Sequence, residues 1–300
     1  MNAILKGQRD EYHRTLVQRV LGYRKDGSVT NTDSASNISK AIGSELARLI
    51  EARLQVQLRP LLTAGGRDVP GQELGRLFTE ATRDFLESAF LKLQHARPGP
   101  WGFSLSQAAL GIARFEPYTH LEAVQKFVER LRRDDPNAAV FFEQDYLVKP
   151  DIVIFREPWT DQQINAREPL IGDDLETAQH TPFRKRRPDQ ANILHASISC
   201  KWTLRSDRAQ NARTEALNLL RSRKGRAPHI VVVTGEPMPT RIASLALGTG
   251  DIDCVYHIAL PELRAAIANL QKEDQREILE QLVQGQRLRD ISDLPLDLAI

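Results

Sequence analysis

The sequence predicts a mixed α/β fold with a central mixed sheet flanked by helices, and three observations carry that expectation. Amphipathic helical stretches come first. Short apolar, β-branched runs follow, and from about residue 194 they alternate with further helical stretches. No flexible linker separates two self-sufficient cores, so residues 1–300 read as one domain.

Residues 1–24 mix apolar and basic positions at roughly helical spacing up to Gly22, and residues 25–36 form a polar loop by composition. A helix follows from about Asn37 to Leu54, with Ile38, Ile42, Leu46 and Ile50 on one face and Ser36 as its cap. A turn-rich loop over 64–72 precedes a helix over about Glu73–Gln94, whose apolar face is Leu77, Ala81, Phe85, Ala89 and Leu93. Pro98 and Pro100 stop it. Residues 118–134 read as another helix. Ala139 to Phe155 holds two strand-like runs interrupted by Lys149-Pro150-Asp151. Residues 156–192 are polar and aperiodic, a long and partly mobile excursion ending in the basic run Arg184-Lys185-Arg186-Arg187.

The stretch Leu194 to Glu215 organises the rest. Leu194, Ala196, Ile198, Cys200 and Trp202 alternate with His195, Ser197, Ser199 and Lys201, the pattern of a half-buried strand. A helix follows, with Ala209, Ala212, Ala216, Leu219 and Leu220 at helical spacing and Ser206 or Asp207 available to cap it. Gly225 closes the corner after it. Further strands are expected over His229–Thr234 and 253–259. Helices are expected over 236–247 and, as one amphipathic unit, over 261–280.

The net charge of +2 conceals an uneven distribution: between Arg184 and Arg226 stand twelve Lys/Arg against three Asp/Glu. A basic field on a mildly acidic body suits a polyanion such as nucleic acid, although a solvated set of basic loops would look the same. Cys200 and Cys254 both lie in apolar runs without CxxC spacing, as buried reduced thiols do. The start has no secretory core, and no apolar run approaches membrane-helix length. The expectation is a soluble, cytoplasmic protein.

Hydrolysing a phosphodiester calls for a metal on the scissile phosphate, carboxylates to hold a hard ion such as Mg2+, and a lysine to stabilise developing charge. Asp151 at the start of one strand and Lys201 late in another supply the ends of the Pro-Asp…(Asp/Glu)-x-Lys pattern, PD-(D/E)xK, of many nucleases. The residue two before Lys201 is Ser199, not an acid, and Glu215 on the following helix is the natural replacement. The bland alternative is a turn-capping Asp151, a surface Lys201 and a Glu215 paired with a neighbouring arginine. Arg205, Asp207 and Arg208 stand at the strand-to-helix corner. Arginine can bridge guanine O6 and N7, and a carboxylate accepts from cytosine N4, so this trio can read a CCGG core when a two-fold dimer repeats it.

Leu194–Glu215, Pro228–Thr234, Ala246–His257, Leu93–Gly99 and Asp290–Ala299 together resemble the NgoMIV family of type II restriction endonucleases, the CCGG group. The likeness covers most of the chain and is weak over 156–192. It implies a restriction-endonuclease-like core and a Mg2+-dependent enzyme that cuts double-stranded DNA. It also implies a homotetramer of two back-to-back dimers and a cognate DNA methyltransferase in the host. By matching positions, Asp151, Ser199, Cys200, Lys201 and Glu215 are implied to form the active site, with Asp151, Cys200 and Glu215 as metal ligands. Arg205, Asp207 and Arg208 are implied to read the central bases. Gln72 and either Ser34 or Ser36 are implied to read an outer pair, giving GCCGGC cut after the first G. One departure stands out. The family's further glutamate follows the Phe of a Gly-x-x-Phe-Glu stretch, but here Gly75-Arg76-Leu77-Phe78 is followed by Thr79, and the acid is Glu80. One residue turns a helix by about 100°. Either the register shifts locally or this auxiliary carboxylate is absent.

Three other readings compete. A catalytically silent DNA-binding relative would tend to lose a carboxylate or Lys201, and a repair or recombination nuclease would not need the Arg-x-Asp-Arg reader. A small-molecule α/β enzyme would show a Gly-rich phosphate loop or a Ser-His-Asp set, and neither is present.

Overall fold

The computed structural model describes residues 3–105, 111–135, 148–174, 176–204, 206–248 and 250–300; of 206–209 it describes the backbone. The helices come first: α1 Ile4–Arg19, α2 Asn37–Leu54 and α3 Gly71–Phe90. Ser36 caps α2 as expected, its hydroxyl accepting the Ser39 N–H at 3.2 Å. Ile42, Leu46 and Ile50 are buried, while Ile38 in the first turn stays exposed. The third helix starts two residues before the expected Glu73 and ends at Phe90. It buries Leu74, Phe78, Ala81, Phe85 and Ala89, a face rotated slightly from the one centred on Leu77. Its Thr82 meets Tyr12 of α1 through a 2.9 Å hydroxyl contact.

The loop before α2 is polar by composition yet enclosed. Thr30, Asn31 and Thr32 are buried. The Arg24 guanidinium donates to the carbonyls of Val29, Thr30 and Thr32. Its main-chain acceptors are thus satisfied without water.

The strands are β1 Trp101–Leu105, β2 Phe115–Glu116, β3 Ile152–Arg156, β4 Asn192–Lys201, β5 His229–Thr234, β6 Cys254–His257 and β7 Leu288–Asp290. They form one mixed sheet in the order β1-β3-β4-β5-β6-β7, with β2 paired to β4. β1 runs antiparallel to β3, while β5, β6 and β7 are mutually parallel. The helices between them are α4 Glu122–Asp134, α5 Asp161–Ile164, α6 Ser206–Ser222, α7 Pro239–Ala246, α8 Leu260–Asn269, α9 Glu273–Gln284 and α10 Leu294–Asp297. The expected mixed α/β sheet is present. β4 and β5 match the expected strands; Leu194, Ala196, Ile198, Cys200 and Trp202 are all buried, and of the alternate set His195, Ser199 and Lys201 are half-buried while Ser197 departs from the pattern and is buried too. Both cysteines are buried. None of the described helices is long and apolar enough to cross a membrane.

Two compact units divide the chain. One comprises Met1–Leu93, Ile198–Thr214 and Ile230–Ile300, and the other Gln94–Ser197 and Glu215–His229. The first has its core in α1, α2, α3, α8 and the β5–β7 strands. The second is built on β1 and β3, the first part of β4 and the last turns of α6.

Three expectations need correction. β1, β2 and β7 lie outside the expected strands; all are short, and β1 begins directly after Pro100 and buries only Phe103, so its pattern is too brief to stand out. Its Gly102 makes room for Phe155 on the paired strand, since a Cβ there would lie 2.2 Å from that ring. The single helix expected over 261–280 is two, α8 and α9. They are broken at Gln271, which adopts φ 52°. No Gly or Pro marks the break, and the apolar spacing runs through it. The acidic pair Glu273 and Asp274, favourable at a helix N-terminus, is the local sign that a new helix begins.

The third correction concerns 156–192. This segment is ordered around Arg184, which is 1% exposed. The guanidinium makes a bidentate pair with Asp161 at 2.7 and 2.8 Å and donates to the carbonyls of Gly172 and Thr177. Thr160 caps α5 in a reciprocal capping box with Gln163. Trp159 and Phe183 pack with ring centroids 5.3 Å apart, and their backbones pair. Arg184 is therefore a structural hub and leaves the surface basic field. The first of the two strand-like runs, over 139–147, lies outside the described residues.

Candidate active site and DNA-reading corner

The candidate residues fall in both units. Asp151 and Glu215 belong to one; Ser199, Cys200, Lys201, Gln72, Glu80, Ser34 and Ser36 belong to the other. Arg205 lies outside the described residues, as do the side chains of Asp207 and Arg208, although both of the latter are on the first turn of α6.

Asp151 is half-buried and immediately precedes β3, whose Ile152, Val153 and Ile154 are buried and fix the strand's direction. Glu215 is half-buried on α6, between the buried Ala212 and Ala216 and one turn before the buried Leu219. The Leu219 carbonyl accepts from the buried Tyr118 hydroxyl at 3.0 Å, which anchors this part of the helix. Two carboxylates supply hard oxygen donors of the kind Mg2+ requires. Among the described residues no group of three or more His, Cys, Asp or Glu could hold a metal ion. A divalent ion held by only two carboxylates completes its shell with carbonyl, phosphate and water oxygens, which is the habit of Mg2+. Cys200 has a buried thiol, 7% exposed. A thiolate is a soft ligand, so the oxygen this residue can offer a hard ion is its main-chain carbonyl.

Lys201 is half-buried at the end of β4, and a clamp that sequence reasoning missed holds the chain just beyond it. The Lys201 carbonyl accepts from Thr234 Oγ1 at 2.7 Å and, more weakly, from the Gly235 N–H at 3.4 Å. Trp202 is buried and packs against Phe78 of α3, ring centroids 5.0 Å apart and planes tilted by 55°. Gly235 is a place where only glycine fits: a Cβ would lie 2.7 Å from the Trp202 ring. Leu204 N–H donates to Glu236 Oε2 at 2.8 Å. The carboxyl of Glu236 is fully buried, and burial pushes its pKa up to about 7 against the opposing pull of the Leu204 N–H, Arg241 and the Met238 N–H. Arg241 also pairs with Asp33, and Asn31 donates to the Gly235 carbonyl at 2.8 Å. The Asp33–Ser36 loop and the Leu204 corner are therefore tied to one turn, Thr234-Gly235-Glu236. A Thr-Gly-Glu-Pro sequence ending an apolar strand was the available signal.

The remaining candidates have plain surroundings. Gln72 is exposed in the first turn of α3. Ser34 is exposed, whereas the Ser36 hydroxyl is engaged as the α2 cap. Glu80 is held by Arg19 at 2.7 Å and by Arg76. Its carboxylate is already neutralised by two guanidinium groups within its own unit.

Comparison with known proteins agrees with this framework. The sequence model of the NgoMIV restriction enzyme family matches residues 12–300. The type II restriction enzyme NgoMIV of Neisseria gonorrhoeae is 44% identical over 305 residues, covering 100% of both chains. The class that follows is the type II restriction enzymes, site-specific deoxyribonucleases with a restriction-endonuclease-like core. Within that class, the chain belongs to the NgoMIV restriction enzyme family.

Proposed function

We propose that residues 1–300 act as one restriction-endonuclease domain that cuts double-stranded DNA with Mg2+ at a palindromic CCGG core, in the site GCCGGC after the first G. The observation that carries this reading is full-length similarity to a type II restriction enzyme, in a chain that has Asp151, Lys201 and Glu215. Asp151, Glu215 and the Cys200 carbonyl would hold the ion, which when bound supplies Lewis-acid stabilisation of the scissile phosphate. Lys201 stabilises the charge that develops on the phosphate oxygens. Ser199 shares the strand with Lys201 and occupies the position of the missing acid. Glu80 has no ligand role in this reading, because its arginine partners already occupy it.

Arg205, Asp207 and Arg208 read the central pairs, and Gln72 with Ser34 or Ser36 reads the outer pair. The active assembly is a homotetramer of two dimers in the cytoplasm, alongside a cognate methyltransferase that protects the host's own sites. The test is digestion of a fully sequenced plasmid with Mg2+, followed by end mapping. Ends within GCCGGC after the first G uphold the reading. Specific retention of DNA with no cut would instead favour a silent DNA-binding relative. A tetramer should also cut a two-site plasmid faster than a one-site plasmid, because the second site is tethered nearby.

A further inference from the structure

A cationic cavity of about 420 Å³, lined by none of the candidate active-site residues, has its described lining wholly in the Gln94–Ser197 and Glu215–His229 unit. Its wall is aromatic. His195 meets the Trp101 ring edge-on at 4.8 Å, and His229 meets His195 at 4.9 Å. Two guanidinium groups face the same indole: the Cζ atoms of Arg97 and Arg156 stand 6.0 and 5.6 Å from the Trp101 centroid.

Among the described residues no carboxylate pairs with either arginine, and the Nε atom of each is buried without an acceptor; Arg156 does donate through Nη2 to the Pro98 carbonyl at 2.9 Å and lies 4.9 Å from the Trp159 and Phe183 ring centroids. An orphaned charged donor is costly unless something supplies the acceptor. Burial and the neighbouring Arg97 lower the pKa of Arg156, so the pair repels itself as it stands. The lining adds Lys224 and Arg226, both exposed, and the one acid among its described residues, Glu116, is engaged by the Thr119 hydroxyl at 2.9 Å. Gly99, with φ 146°, lets the backbone pass close to Arg156; a Cβ there would lie 2.7 Å from its Nε.

Convergent arginines without counter-charge fit a dianionic phosphate. The cavity is larger than a phosphate needs, and its remaining wall is largely aromatic, a surface chemistry against which a planar base packs. We propose that this cavity is a nucleotide site that takes a nucleoside 5′-phosphate, with the phosphate on Arg97 and Arg156 and the base against the rings of Trp101 and His195. Two sources share that chemistry, a free mononucleotide and the 5′-phosphorylated end of a DNA strand.

The experiment uses the full chain in EDTA, so it does not depend on cleavage. Deoxyguanosine 5′-monophosphate is titrated by calorimetry, with deoxyguanosine and inorganic phosphate as separate probes. Saturable binding at one per chain, at least ten-fold tighter than either probe alone, is expected. Arg97→Gln and Arg156→Gln should each weaken it by at least ten-fold, at an unchanged circular dichroism spectrum. Should Arg156→Gln fail to fold, the exposed Lys224→Gln serves in its place, with a smaller loss of several-fold. Displacement by a 5′-phosphorylated oligonucleotide lacking CCGG, but not by its 5′-hydroxyl twin, upholds the site and assigns it to DNA ends. Binding without such displacement upholds it for free nucleotide. The proposal is overturned if there is no saturation below about 10 mM, if inorganic phosphate binds as tightly as the nucleotide, or if the arginine variants bind equally well.

Discussion

Glu236→Gln removes the titration of the carboxyl that holds Leu204 and leaves most of its contacts. The wild-type group is fully buried, and burial raises it from its ordinary 4.5 to about 7. Between those values the folded chain keeps a proton that the unfolded chain has released. Stability from this residue is therefore greatest below pH 4.5 and falls as pH rises to about 7. The displacement corresponds to about 3 kcal/mol lost above pH 7. Glutamine cannot ionise, so the variant avoids that loss. Its amide oxygen still accepts from Leu204, but its NH2 then faces the Met238 N–H, at a cost of about 1 kcal/mol. The variant should be about 2 kcal/mol more stable than the parent at pH 8 and about 1 kcal/mol less stable near pH 4.5, so the two profiles cross. Urea midpoints of both proteins in half-unit steps across this range measure it. Parallel profiles, or a variant weaker at every pH, would refute the assignment of a buried, largely protonated carboxyl at this turn.

Other expectations follow from the same geometry. Asp151→Ala, Lys201→Ala and Glu215→Ala should each lower the cleavage rate by at least ~10²-fold while leaving specific binding largely intact, as read by filter binding in Ca2+. Gly235→Ala puts a Cβ 2.7 Å from the Trp202 ring. It should cost roughly 1–3 kcal/mol of stability and lower cleavage more than binding, because the Lys201 carbonyl is held by the same turn. His13 and His257 are buried and neutral, both lowered from 6.5 to about 4, chiefly by burial. Their contribution is fully present above pH 6.5 and lost as pH falls toward 4, by up to about 1.4 kcal/mol per pH unit for each. Thermal midpoints of the Glu236→Gln chain from pH 7 to 5 isolate that fall, and a flat profile would contradict it.

What was legible in the sequence was whatever carried a sustained period. The alternation from Leu194 to Trp202, the buried run His229–Thr234 and the four-residue spacing of Ile42, Leu46 and Ile50 on α2 each repeat enough to set the element and most of its facing. β1 offers too few residues to establish an alternation, and the α8–α9 break has no Gly or Pro because Gln271 makes the turn through its own backbone. The ordering of 156–192 depends on Arg184 meeting Asp161 across 23 residues, and a local reading sees only a basic run. At the candidate site, the charged residues could be named because the chemistry demands their types. Glu236 escaped because its work is done from the interior on a main-chain N–H: Thr-Gly-Glu-Pro marks a turn, but not which backbone group the acid will hold.

The central claim is that this chain reads a CCGG core through the corner that follows Lys201. Its most direct test is cleavage and binding across every single-base variant of GCCGGC, for the wild type, Arg208→Ala and Gln72→Ala. A lost bidentate arginine contact costs ~1–3 kcal/mol, and a homodimer loses it twice. Arg208→Ala should therefore lose nearly all cleavage without gaining a clean new site. Gln72→Ala should relax the outer pair and still require CCGG. An Arg208→Ala chain that cut GCCGGC at the normal rate and still rejected altered central pairs would contradict the account.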